Sequence, residues 1–383
     1  MKQPTSPGKN RSIDAVVAGY VGVDIAPGFP SRLGSASPSE LFRPGKLVQT
    51  EGLSFSLGGV VPNTGLALQR FGKRIGLMGL VGRDFLGDLV VRQLRARGVS
   101  SGIRRTDRAA TAYGIVLAPP GMDRMFLEDP GCNDIFSSNH IDYRTVARSR
   151  LFHFGYPTLM RRLFEKNGAE LQSILRRVRR LGVATSLDVT LPDPDSPAGK
   201  VDWQRFLAAT LPQVDLFLPS VEEILLMLEP ATYRRLRSRA SGGDILDAVA
   251  PELFERLGDR ILEFGVSILM IKAGHRGAYV RTGDVGRLHE TTPLKLSPAV
   301  WSHRTAWVPA FPVKRARMKN ACGAGDCAVA GFLAAVLDGG DLETAGRYAM
   351  LAGRDNLYGV DALGGLRDWP SMTREIGATP PKM

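Results

Sequence analysis

What most limits the fold of this chain is an alternation. Short apolar runs recur between longer segments of helical periodicity. "IDAVVAGYVGVDI" (13–25), "RIGLMGLVG" (74–82), "LFHFGYP" (151–157), "VATSLDVT" (183–190), "VDLFLPS" (214–220) and "VSILMIKAG" (266–274) read as buried strands. Between them, "NTGLALQRFG" reads as a helix that stops at Gly72, and "RDFLGDLVVRQLRARG" as one with Asp84 as N-cap and Gly98 as its stop. Repeated βα alternation predicts an α/β fold of three layers, α/β/α, with a mainly parallel central sheet. In such sheets ligands sit beyond the carboxyl ends of the strands.

Two stretches break the rhythm. Residues 26–52 and 108–128 read as short strands and turns, expected to form a small β lid that excludes water from a bound substrate. The polar first dozen residues read as a disordered tail (1–12), 13–370 as the folded domain and 371–383 as a C-terminal tail.

Cys132, Cys322 and Cys327 are too few and too scattered for a disulfide framework or a zinc site, which points to a reducing, cytoplasmic setting. The start of the chain lacks the apolar stretch of a signal peptide, and no segment offers about 18 uninterrupted apolar residues, so no membrane anchor is expected. A net charge of +12 raises the question of nucleic acid. The arginines, however, fall on helix faces: Arg176, Arg177, Arg179 and Arg180 interleave with Leu171, Ile174, Leu175 and Val178. That is a solvated face over a core stripe, and no aromatic-studded basic strand or helix-turn-helix pattern supports a nucleic-acid partner. A small substrate carrying phosphate or carboxylate would be drawn to the same surface.

The chemistry concentrates in "NACGAGDCAVAGF" (320–332). The segment after Gly325 is apolar nearly all round up to Gly339-Gly340, as a central buried helix would be. The first N–H groups of a helix lack internal partners and carry partial positive charge, so the small-residue turn Gly323-Ala324-Gly325 is an anion cradle. Asp326 would repel an anion but is well placed to take a proton from a hydroxyl attacking it. A plainer reading also exists: an aspartate in a first turn is favourable through the helix dipole alone.

Together with "SLGGVVPNTGLALQRFG", "GLVGRDFLGD" and "GCNDIF", this stretch resembles the ribokinase-like (PfkB-type) carbohydrate kinase family over roughly residues 13–365. The resemblance implies a ribokinase-like fold and an ATP-dependent phosphotransferase acting on a hydroxymethyl group of a sugar or sugar-like substrate. It implies Asp326 as catalytic base and Gly323, Ala324 and Gly325 as the anion hole. Asp24, read as ending the first strand, with Gly58, Gly59 and Asn63, would grip sugar hydroxyls. Lys272, Gly274 and Gly277 of "IKAGHRGAYV" would line the nucleotide, and Glu223 of "LPSVEEILLML" would act on Mg²⁺ through water. ATP and Mg²⁺ are thus the implied cofactors and a sugar or nucleoside the implied partner, and a homodimer through exposed lid strands is compatible with such edges.

The chain departs from the family pattern in places. Ser220 replaces an asparagine, Asn320-Ala321-Cys322 replaces Asp-Thr-Thr, which puts monovalent-cation activation in doubt, and "LDVTLPD" keeps Asp188 but has Thr190 where an asparagine is often found. Two alternatives remain at this level: a non-catalytic sugar- or nucleotide-binding regulator, and a dinucleotide-dependent oxidoreductase, since Gly323 to Ala328 also satisfies a glycine fingerprint. The latter needs a strand before the turn, and "FPVKRARMKN" is a poor one. His153 reads as an interior or sheet-end histidine, His275 as exposed, Cys322 and Cys327 as small packing residues, and Arg354 as facing either the site or solvent.

Overall fold

The computed structural model describes residues 11–34, 37–120, 125–240, 243–319 and 321–378. Strands among them are β1 (Ile13–Gly19), β2 (Gly22–Gly28), β3 (Glu51–Gly58), β4 (Ile75–Gly82), β5 (Ile103–Thr106), β6 (Ala112–Leu117) and β7 (Met125–Asp129). They continue with β8 (Ser149–Gly155), β9 (Ala184–Asp188), β10 (Leu216–Phe217), β11 (Ile268–Lys272), β12 (Ala278–Thr282) and β13 (Thr305–Val308). Nine form one sheet in the order β13-β12-β11-β10-β9-β8-β1-β4-β5, parallel throughout except for β12 and β13. The other four form a separate sheet, β3-β2-β6-β7.

The physical reason for the large sheet is two-sided burial. Val16, Val17, Leu151, Phe152, Phe154, Ala184 and Leu187 are fully buried, so consecutive residues of β1, β8 and β9 are covered on both faces. Each large side chain so buried contributes about 1.5–3 kcal/mol before entropy is subtracted. One covering element is Arg161–Arg180, helical on either side of a break at Glu165, Lys166, Asn167 and Gly168, whose Leu171, Ile174, Leu175 and Val178 are buried as expected. Its arginines face outward, and Arg177 lies over the Tyr143 ring at 3.8 Å.

Several expected boundaries move. The run 13–25 is two strands: at Gly19, with φ 128°, the chain leaves the large sheet, and Gly22 onward belongs to the small one. "VDLFLPS" contributes only Leu216 and Phe217 to the ladder. The small sheet exists, but its strands flank the expected segment 26–52 instead of filling it, because the apolar alternation of Gly22–Gly28 and Glu51–Gly58 pairs directly while residues 29–50 connect them. The segment 108–128 holds β6 and most of β7; residues 35–36 and 121–124 lie outside the described residues.

Both expected tails are shorter. Arg11 donates to the carbonyls of Ala147 and Ser149 at 2.9 and 2.8 Å, so the fold starts before Ile13; residues 1–10 lie outside the described residues. At the other end Trp369–Ala378 is a helix with Met372 and Ile376 buried and Trp369 stacked on Tyr348 at 3.9 Å, since its apolar residues recur at helical spacing; only 379–383 lie outside the described residues.

Candidate active site

The helix Ala324–Leu337 runs through the core, buried from Asp326 to its last residue. Gly323 caps it with φ 76° and ψ 3°, and a Cβ there would meet the Ala362 Cβ at 2.6 Å, so only glycine fits both the conformation and the space. Asn356, fully buried, pins the turn by donating from Nδ2 to the carbonyls of Cys322 and Ala362 at 2.9 and 2.8 Å. The first-turn amides that follow have no acceptor inside the helix and face the dipole's positive end. Asn320, which bears on monovalent cations, lies outside the described residues.

The helix Val60–Arg70 packs against this one and opens directly after Gly59, with Asn63 and Thr64 in its first turns. Asn63 Nδ2 donates to Asp326 Oδ2 at 2.9 Å, and Thr64 Oγ1 donates to Asp326 Oδ1 at 3.2 Å. A third donor is Tyr156, whose hydroxyl reaches Oδ2 at 2.8 Å. Tyr156 follows β8 in the left-handed region, φ 64° and ψ 38°, a costly conformation for a bulky residue and one met chiefly at functional sites. Asp326 is 2% exposed, and burial outweighs the three donors and the nearby Lys272 charge, so its carboxyl stands above the usual range.

Beside it the carboxyl end of β11 presents Lys272. Its Nζ donates to both oxygens of Asp188, at the end of β9, at 2.8 and 2.9 Å, and lies 3.8 Å from where a Cβ on Gly325 would be. Burial opposes the Lys272 charge, but Asp188, Glu223 and Asp326 outweigh it and raise its pKa, and the two-pronged contact is that of an ion pair. Burial pushes the Asp188 carboxyl upward against the pull of that ammonium. Ser220, which stands where an asparagine was expected, caps the helix Val221–Leu228: its Oγ accepts from Glu223 N–H at 3.3 Å while the Glu223 carboxylate accepts from Ser220 N–H at 2.6 Å.

Lys272, Gly274 and Gly277 line one cavity of about 610 Å³ together with Ala324, Gly325 and Arg354. The nucleotide residues and the anion turn inferred from sequence therefore meet. Among the described residues no three His, Cys, Asp or Glu side chains are grouped to hold a metal by themselves. Asp188, Glu223 and Asp326 nevertheless all act on one ammonium, and their carboxyl oxygens are of the donor type that suits a divalent cation carried in by phosphates.

Asp24 is the third residue of β2, not the end of the first strand, because β2 has left the large sheet, and it feels the charge of Asp326. Its carboxylate rests against Gly58, where a Cβ would come within 2.4 Å of Oδ1. Burial, then the charges of Glu128 and Asp326, push its carboxyl up to about 6. Tyr156, Thr64 and Asn356 were missed by sequence reasoning, and the Gly-Tyr-Pro that ends "LFHFGYP" is the one signal that marked Tyr156. His153 is interior, with Nδ1 on Ser186 Oγ at 2.9 Å and burial holding its pKa down to about 3. His275 is exposed between Asp244 and Asp247, and Arg354 lines the cavity while paired with Asp355 and Glu375. Residues 309–319 form no strand, and the helix Leu342–Asn356 follows the central one, so the βαβ unit a dinucleotide fingerprint requires is missing among the described residues.

Comparison with known proteins agrees with this architecture. The chain is 25% identical over 284 residues to an uncharacterized sugar kinase of Archaeoglobus fulgidus (74% of this chain, 90% of that one). It is 26% identical over 297 residues to an ATP-dependent ribose-1-phosphate kinase of Halopiger xanaduensis (77% and 78%). A crystal structure of a putative ribokinase II from E. coli superposes with a TM-score of 0.68 at 21% identity, covering 96% of this chain and all of the other, which establishes the ribokinase-like fold. Residues 35–354 match the model of the pfkB family carbohydrate kinases, and the chain belongs to that family.

Proposed function

We propose that the protein transfers the γ-phosphoryl group of ATP to a hydroxymethyl group of a sugar or sugar-like substrate, with Asp326 as general base. The observation that carries this reading is the position of Asp326: a buried carboxylate in the first turn of the central helix, directly after Gly325 of the cavity that Lys272, Gly274 and Gly277 line and within electrostatic reach of the Asp24 carboxylate. Asn63 and Tyr156 both occupy Oδ2, whereas Oδ1 takes only the longer Thr64 contact and keeps acceptor capacity. Oδ1 is thus the atom to receive the proton.

As the substrate oxygen attacks the γ-phosphorus in line, its proton passes to Asp326, the bond to the leaving ADP breaks, and amides of residues 323–325 stabilise the transferred oxygens. Lys272 adds a fixed positive charge beside Gly325. Bound Mg²⁺ would neutralise phosphate charge, with Glu223 holding it through water. Asp24, Gly58, Gly59 and Asn63 grip the sugar, and the small sheet is the lid that keeps water out. A cytoplasmic location follows from the ATP requirement, and no helix among the described residues is long and apolar enough to cross a membrane. The lid's outer face, with Leu53, Phe55, Met125 and Leu127 exposed, is where a homodimer would form.

The test is ADP release from ATP and Mg²⁺ with a panel of sugars, sugar acids and nucleosides, beside Asp326→Asn. Turnover on one substrate that the variant lacks supports the reading. A variant with near-normal kcat refutes the base.

A further inference from the structure

The lid contains a row of side chains of which the reaction described above uses only Asp24. Its strand register aligns Ser56 of β3, Asp24 of β2, Gly114 of β6 and Glu128 of β7 across all four strands. Directly paired residues point to the same face, so Asp24 and Glu128 stand on one side with a glycine between them. Two strand spacings put their Cα atoms roughly 10 Å apart. The missing side chain at Gly114 keeps that interval open: a Cβ there would come within 3.5 Å of Asp24 Oδ1. Phe126, two residues before Glu128 and so on the same face, is 51% exposed.

A second observation points to a ligand. Tyr20, between β1 and β2, is 4% exposed, and its hydroxyl meets the Glu128 carboxylate without the geometry of a full hydrogen bond. Burial, then the carboxylates of Glu128, Asp129 and Asp24, raise its pKa, which puts that hydroxyl beside the row. A buried hydroxyl so weakly paired is costly, and a group supplied from outside that reaches both it and the Glu128 carboxylate satisfies it better. Glu128 and Phe126 also line a cavity of about 400 Å³ whose other charged residues are Asp134, Asp193 and Arg161, the last engaged with Glu165 at 2.7 Å. Lys272 is likewise committed to Asp188.

We propose that Tyr20, Asp24 and Glu128 form a specificity subsite for the non-reacting end of the substrate, selecting a donor-rich polyol without negative charge and turning away sugars that carry phosphate or carboxylate there. The inference rests on the sugar-kinase reading. Hydroxyl groups donate to the two carboxylates and accept from Tyr20, and a sugar's C–H face packs on Phe126. An amino group in place of one hydroxyl satisfies the same acceptors. A phosphate would meet two like charges, a juxtaposition that costs on the order of 100-fold in affinity. The substrate preferred here therefore differs in charge from the ribose-1-phosphate in the name of the Halopiger relative.

The experiment compares D-ribose, D-fructose, D-glucosamine, ribose-1-phosphate and gluconate, by ATP turnover and by calorimetric binding without nucleotide, in the full chain and in Glu128→Gln and Tyr20→Phe. The expected result is a neutral or amino sugar favoured by about 100-fold over the anionic ones. Glu128→Gln, an exposed and isosteric change, should narrow that gap about tenfold, and Tyr20→Phe should raise KM for the neutral sugar with kcat little changed. Preference for an anionic sugar, or a gap that Glu128→Gln leaves intact, overturns the subsite. Absence of turnover on every sugar counts against the kinase reading instead, and the binding titrations then still decide the charge preference.

Discussion

The central helix end and the lid satisfy their polar groups to different degrees. Around Asp326 every donor is already placed: Asn63, Thr64 and Tyr156 hold the carboxylate, Asn356 fixes the turn beneath it, and Lys272 is locked to Asp188. Around Asp24 the groups are less well satisfied, with a carboxyl raised to about 6 and a Tyr20 hydroxyl that meets Glu128 without the geometry of a full hydrogen bond. The burial pattern follows the same division, since the helix floor is covered on all sides whereas β7 is exposed along its whole length. Preorganised groups suit chemistry, which gains from dipoles fixed before reaction. Unsatisfied ones suit recognition, because a ligand with matching groups relieves them.

That contrast is broken most directly at Asp326, the proposed base. Asp326→Asn should lower kcat by about 100- to 10,000-fold, the usual worth of a positioned general base, with sugar binding by calorimetry largely kept. Lys272→Met should follow: removing one partner of a buried pair costs about 3–5 kcal/mol of stability, read by denaturant midpoint, and kcat falls with it. Its rescue by Asp188→Asn in the double variant would show that the stranded carboxylate caused the loss of stability.

A pH series sharpens the lid side. Because the Asp24 carboxyl is raised to about 6 from 3.8, the folded chain holds that proton more tightly than the unfolded chain. Its stabilising contribution is complete below 3.8 and is lost as pH rises through 6, while the ionised form is the better acceptor for sugar hydroxyls. KM for the sugar should therefore fall as pH rises through about 6, and Asp24→Asn should flatten the profile; Glu128, Asp326 and Tyr20 are the ionisable neighbours that set it. The smallest effect belongs to the lid's outer face, where Leu127→Asn should change stability by about 0.5 kcal/mol or less. A large loss there would mean that the face is covered in solution, and a concentration-dependent sedimentation profile would identify a second copy as the cover.

The alternating apolar runs determined the large parallel sheet, because a strand buried on both faces must be apolar nearly throughout. The Gly-Ala-Gly-Asp turn before an all-apolar helix likewise marked the start of the buried central helix, since the conformation and close packing of Gly323 demand glycine. Local pattern carried less of the lid. Gly22–Gly28 reads as a continuation of Ile13–Gly19, and only the φ of Gly19, set by close approach to Gly155, separates them. Nothing local marked Thr64, Asn356 or Tyr20 either, for their roles depend on partners far along the chain: Thr64 and Asp326 are 262 positions apart. The trough between Asp24 and Glu128 was equally invisible, since strand register alone puts those residues in one row with Gly114 between them. Sequence pattern thus determined the layers and the glycine turn of the central helix, where periodicity and turn chemistry are local; tertiary structure decided which distant side chains gather around Asp326, because long-range pairing is fixed only when the whole core packs.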